Sequence, residues 1–176
     1  MPTVFIVHGA GSTPESNWFP WLKKQLEAKG FKVLVPQFPN TPFDQTLDNW
    51  LTEIEKYDID EDTIAVGHSL GVPFLLNLLE RKKLKETYLV AGFIGLLNNE
   101  FDEVIHTFSN REFDWNKIKA NCKNFHIIYS DDDPHVSSDK ATELGAKLGL
   151  EPKLIKDAGH FNFPTFEFLY SEIISN

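Results

Sequence analysis

Short runs of β-branched and aromatic residues alternate along the chain with longer stretches whose apolar side chains recur every three or four positions. The runs that predict strands are Thr3 to Val7, Lys32 to Val35, Thr63 to Val66, Glu86 to Val90, Asn124 to Tyr129 and Lys153 to Lys156. Helical spacing occupies Trp18 to Lys29, with Gly30 at the expected stop, and returns at Thr46 to Tyr57, Val72 to Lys83, Ser137 to Leu148 and Phe163 to Ile174. Strand and helix alternating in this way predict an α/β fold. The expected architecture is a three-layer sandwich of six parallel strands ordered 2-1-3-4-5-6, with helices on both faces and a site at the carboxyl ends of the strands.

The stretch from Ala91 to Asn121 fits no single period. It carries Phe93, Phe101, Phe108, Phe113 and Trp115 among charged residues. We read it as a helical excursion over one end of the sheet, its aromatics serving as core or as pocket wall. No internal repeat, low-complexity segment or long Pro/Gly/Ser linker interrupts the pattern, so residues 1–176 are expected to form a single domain.

Composition narrows the function. At 176 residues, 41% of them hydrophobic, with fifteen Phe and four Trp, the chain can build an ordinary globular core. A net charge of -9 disfavours phosphate backbones and anionic headgroups, so no nucleic-acid partner is expected. Arg81-Lys82-Lys83 reads as a solvated helix end. The one cysteine, Cys122, excludes an internal disulfide, and no Cys/His spacing suits a metal; neither metal nor cofactor is expected. The amino terminus lacks a positive leader, and the most apolar stretch, Thr63 to Leu79, is broken by Gly67, Gly71 and Pro73. The expectation is a cytoplasmic protein that enters no membrane.

The chemistry is concentrated at Gly67-His68-Ser69-Leu70-Gly71, which fits the nucleophile-elbow pattern G-x-S-x-G. Its context raises the value of the match. Thr63-Ile64-Ala65-Val66 supplies a buried strand before it, and Pro73 opens a helix after it. A serine on so tight a strand-to-helix turn presses its second neighbours together, which leaves no room for side chains at Gly67 and Gly71. The turn would place Ser69 at the amino end of a helix, with the Leu70 N–H as one oxyanion donor and the Ala10 N–H of His8-Gly9-Ala10-Gly11 as the other. His8 itself is read as support for that loop.

A serine hydroxyl needs an imidazole to take its proton and a carboxylate to orient the imidazole. Asp157-Ala158-Gly159-His160 lies between the last predicted strand and the last helix, so His160 is the candidate base. Asp131-Asp132-Asp133-Pro134 follows the fifth strand and offers the acid. Asp133 is preferred, three residues before the apolar Val136; Asp132 stands as the alternative, and a plain solvated turn as the bland reading. His68 and His126 are read as structural, while His106 and His135 are loop residues without an assigned purpose. The order Ser69, Asp133, His160 is that of the α/β-hydrolase arrangement.

These residues resemble the small serine hydrolases that include retinoblastoma-binding protein nine and its YdeN-like bacterial relatives. The likeness spans most of the chain. It is carried by the elbow, by Phe113 to Cys122, by Asp132-Asp133-Pro134 and by Gly159-His160-Phe161. The resemblance implies a minimal α/β-hydrolase fold lacking the first two strands of the larger enzymes, the same triad and no metal. Two features depart from the family. His8-Gly9-Ala10-Gly11 stands where the mammalian member resembles Pro-Gly-Asn-Gly, and the Leu-x-Cys-x-Glu motif is absent, since Lys123 and Asn124 follow Cys122. No retinoblastoma-type partner is implied.

The sequence therefore predicts a serine hydrolase acting on a small-molecule ester or amide through an acyl-enzyme on Ser69, with small carboxyl esters as the favoured substrates. A lyase of the same fold, using the triad serine as a base, would carry identical residues. A non-catalytic protein-interaction module on the same fold is the rival from a different class, and it would expose a contiguous apolar patch.

Overall fold

The computed structural model describes residues 1–175. Six strands form one parallel sheet: β1 (Thr3–Val7), β2 (Lys32–Leu34), β3 (Ile64–His68), β4 (Glu86–Val90), β5 (Asn124–Tyr129) and β6 (Lys153–Leu154), ordered β2-β1-β3-β4-β5-β6. Both faces of the sheet are covered, which is why its strands read as nearly unbroken apolar runs. Val4, Ile6, Ile64, Val66, Tyr88, Val90 and Ile128 point to one face. Phe5, Val7, Ala65, Leu89 and Ile127 point to the other. The first face packs against α1 (Phe19–Ala28) and α7 (Glu167–Ser175). The second carries α2 (Leu47–Ile54), α3 (Gly71–Leu79), α4 (Asp102–Ser109), α5 (Trp115–Asn121) and α6 (Ser138–Leu148).

The predicted elements are all present, and their boundaries differ for physical reasons. The edge strands β2 and β6 stop early because each has one neighbour to pair with. β3 runs two residues further than predicted, since Gly67 and His68 still pair with Leu89 and Val90. Thr46 lies outside α2 as its cap, its hydroxyl accepting from the Asn49 N–H at 3.3 Å. α1 ends at Ala28, capped by Lys29, and the expected stop Gly30 follows with a φ of 87° that suits glycine. α7 begins four residues later than predicted, beyond Pro164 and the left-handed Phe161. The excursion after β4 resolves into the two short helices α4 and α5. Phe108 and Phe113 are core, whereas Phe93 and Phe101 face a cavity. No helix among the described residues is long and apolar enough to cross a membrane.

Candidate active site

Ser69 sits where β3 breaks into α3, in the left-handed region at φ 54°. A residue other than glycine in that conformation costs about 1–3 kcal/mol, so the surroundings must enforce it. They do so by backbone contact. A Cβ on Gly67 would lie 2.8 Å from the carbonyl of Gly71, and one on Gly71 would drive into the Val7 carbonyl oxygen. A Cβ on Gly9 would stand 3.3 Å from that of Ser69, so β1 also closes on the turn. The Ser69 N–H donates to Val90 at 2.9 Å, the last rung of the sheet before the chain turns. Among the described residues, no protein acceptor engages the N–H of Ala10 or of Leu70.

His160 arrives on the loop after β6, and the run of three aspartates after β5 grips that loop. Asp131 accepts from the Asp157 N–H at 3.0 Å, and Asp132 accepts from the Gly159 N–H at 2.7 Å. Ser130 ties the same two loops together, accepting from Ala158 at 3.0 Å while donating to Asp132 at 2.6 Å. Asp133 is the one that reaches the ring, its Oδ2 lying 2.7 Å from His160 Nδ1. Its Oδ1 accepts from the N–H groups of His135 and Val136 at 2.8 and 3.0 Å. Burial pushes the Asp133 carboxyl up, but the bond to His160, its charge and the two main-chain N–H groups together hold it below the usual carboxylate range. An ionised carboxylate only accepts, so Nδ1 carries the hydrogen, and in the neutral ring it is Nε2 that keeps the lone pair.

The histidine inside the elbow has a defined place as well. His68 is buried, and its Nε2–H donates to the His160 carbonyl at 2.8 Å. Burial, helped by the neighbouring His160, lowers its pKa to about 3, so the imidazole is neutral. Its Nδ1 is a buried acceptor without a partner among the described residues. His8 does support its loop: it donates through Nδ1 to Gly9 at 2.8 Å and accepts the Phe38 N–H at 3.0 Å. His126 lies 2.6 Å from Glu86 and stacks on Tyr88, a structural placement. His106 belongs to α4 and not to a loop; its ring bonds the helix's own carbonyls.

Ser69 and His160 line one cavity of ≈ 170 Å³, together with His68 and His135. No hydrogen bond joins the Ser69 hydroxyl to His160 among the described residues. Such bonds are often long before substrate binds and tighten in the complex. Val136 and Phe93 wall the cavity, and the ring of His135 stands edge-on to that of His160, with centroids 5.0 Å apart. His135 and the grip of Asp131 and Asp132 were not assigned from the sequence. Their meaning lies in contacts with a segment about 25 residues downstream, and no local pattern carries that.

A six-stranded parallel sheet with a serine on a strained turn at the carboxyl edge defines a protein of the α/β-hydrolase fold. The chain belongs to the serine hydrolase family, whose model matches residues 4–166. It is 32% identical to the hydrolase YdeN of Bacillus subtilis over 182 aligned positions, covering 98% of this chain and 94% of that protein. The serine hydrolase RBBP9 of Rattus norvegicus is 30% identical over 164 positions, covering 92% of this chain and 87% of the rat protein. The crystal structure of B. subtilis YdeN superposes with a TM-score of 0.90, covering 99% and 98% of the two chains.

Proposed function

We propose that the protein hydrolyses a small-molecule ester or amide through an acyl-enzyme formed on Ser69. The reading is carried by one arrangement: the imidazole of His160, bonded through Nδ1 to Asp133, lines the same cavity as the strained Ser69. In this mechanism His160 Nε2 takes the Ser69 proton as the hydroxyl oxygen attacks the carbonyl carbon. The resulting oxyanion is held by the N–H groups of Ala10 and Leu70, and His160 then protonates the leaving alcohol or amine. Water, deprotonated by the same nitrogen, releases the acid and restores the serine. Asp133 orients the ring and stabilises the imidazolium.

The rival reading, a protein-interaction module, draws on the missing Ser69–His160 hydrogen bond. Against it, the exposed large apolar side chains among the described residues are Met1, Phe43 and Ile174, on three separate segments. A fluorophosphonate probe followed by intact-mass measurement decides between them. We expect one adduct per chain, abolished by Ser69→Ala and by His160→Ala; a folded wild type that takes no adduct would establish the rival.

A further inference from the structure

The lining of the cavity beside Ser69 divides by chain segment. Phe93, Leu97, Phe101 and Ile105 from the segment after β4 and Val136 from the loop after β5 are its apolar wall, all buried or half-buried, the two segments meeting where the rings of Phe101 and His135 stand edge-on. Ser12 and Asn17 from the loop after β1 and Asn162 from the loop after β6 are its polar lining, partly or fully exposed. Among the described residues, no Asp, Glu, Lys or Arg lines it. A charged group entering the apolar side would lose its hydration without gaining a counter-ion, which disfavours it strongly.

The apolar wall is also braced. Asp102 accepts from the Leu97 and Asn98 N–H groups at 2.8 and 3.0 Å, fixing the turn that carries the mouth. The Asn99 amide donates to the His135 carbonyl at 3.2 Å, and Lys140 donates to the Ile94 carbonyl at 3.2 Å. These bonds join the segment after β4 to the loop and helix that follow β5. The two segments that form the wall are thus tied to each other, which resists their separation by a larger guest.

We infer that this wall is an acyl-binding subsite that admits an uncharged, short-chain or single-ring acyl group and excludes long chains by size, with Ile105 and Leu97 as the residues that set the limit. The inference rests on the proposed acyl-enzyme reading. The acyl group stays bound to Ser69 while the leaving group departs and water enters, so it is the part of the substrate that needs the enclosed side. The leaving group takes the polar, open side at Ser12, Asn17 and Asn162. The whole cavity, its polar lining included, is ≈ 170 Å³, close to the roughly 150 Å³ that accommodates a benzene ring in an apolar protein interior. The apolar wall alone therefore leaves room for at most about six carbon atoms.

The test measures kcat/KM of the full chain on p-nitrophenyl acetate, butyrate, benzoate, octanoate, hemisuccinate and glycinate, alongside fluorophosphonate labelling. Butyrate or benzoate should be best, with octanoate and both charged esters at least ~10-fold lower. Ile105→Ala should move the optimum toward octanoate. Leu97→Trp, at a half-buried position where folding is less at stake, should move it toward acetate. Labelling with octanoate or a charged ester preferred, with a flat profile, or with no turnover of any ester overturns the inference alone. So does an optimum that neither substitution moves. Absence of both labelling and turnover removes the acyl-enzyme reading and this inference with it.

Discussion

The two loops that meet at the cavity are held by different physics. The Ser69 turn is enforced by backbone pressed against backbone: Gly67 on Gly71, Gly71 on the Val7 carbonyl, Gly9 on Ser69. The His160 loop is held by side-chain acceptors, three consecutive aspartates each taking a different group on residues 157–160. Steric enforcement is intolerant of any added atom. Electrostatic enforcement tolerates changes of shape but depends on charge and on which atom donates. Substitutions in the first loop should therefore register as lost stability, and substitutions in the second as lost rate.

The largest expected effect is in the second loop. Asp133→Asn keeps the size of the side chain but can present an N–H to His160 Nδ1, which would favour the tautomer with its hydrogen on Nε2. We expect kcat to fall by about 10⁴-fold with the midpoint of urea unfolding little changed, on the precedent of triads whose acid is amidated. A loss below tenfold would show that Asp133 does not govern the ring. The matching change in the first loop is Gly71→Ala, which places a methyl group on the Val7 carbonyl oxygen. Neither backbone can yield without dragging β1 or α3, so we expect a loss of about 3 kcal/mol in urea unfolding. A near-neutral result would mean that the turn is not sterically enforced.

The same contrast governs what was legible in the sequence. The sheet and its strand order could be read because both faces are buried and the strands stand out as apolar runs between helical periods. The elbow could be read because its signature lies within five residues, although part of what constrains it is the distant Val7 carbonyl. The segment from Ala91 to Asn121 could not be divided, because α4 and α5 are each barely two turns long. Its aromatics are also split between core and cavity wall, so they follow no common period. Asp132 could be read only as an alternative acid, and Asp131 as no more than part of a charged turn; both are exposed. What sets them apart is a pair of N–H groups brought back from after β6, which only the tertiary fold supplies.

On the proposed mechanism that grip makes Asp132 a positioning residue, acting on His160 through the Gly159 main chain. Asp132→Ala removes the acceptor for both Gly159 N–H and Ser130 hydroxyl while leaving the Asp133–His160 bond in place. Because the side chain is exposed, stability should change by no more than ~0.5 kcal/mol. A misplaced base should nonetheless cost kcat about 10-fold, with KM on p-nitrophenyl butyrate unchanged. Asp132→Asn retains a carbonyl acceptor and should recover most of the rate. Equal losses for Ala and Asn, or a loss confined to KM, would remove Asp132 from the positioning of His160.

The smallest effect concerns stability against pH, and it separates the two loops once more. His68 has its pKa lowered from 6.5 to about 3, chiefly by burial. Between those values the unfolded chain binds a proton that the native state refuses, so stability falls as pH drops below about 6.5. His8, also lowered by burial, adds to this fall from the same upper limit. Asp133 acts lower down: its contribution is complete above the ordinary carboxylate value of 3.8 and is lost as pH falls through its depressed native value. Acid should therefore weaken the elbow side first and the His160–Asp133 contact last. His68→Gln keeps an N–H to reach the His160 carbonyl but cannot titrate, so its unfolding midpoint should fall less steeply between pH 6.5 and pH 4.5 than the wild type's, the difference staying below about 1.4 kcal/mol per pH unit. Parallel slopes for the two proteins would show that His68 is not the group that holds its neutral form in the fold.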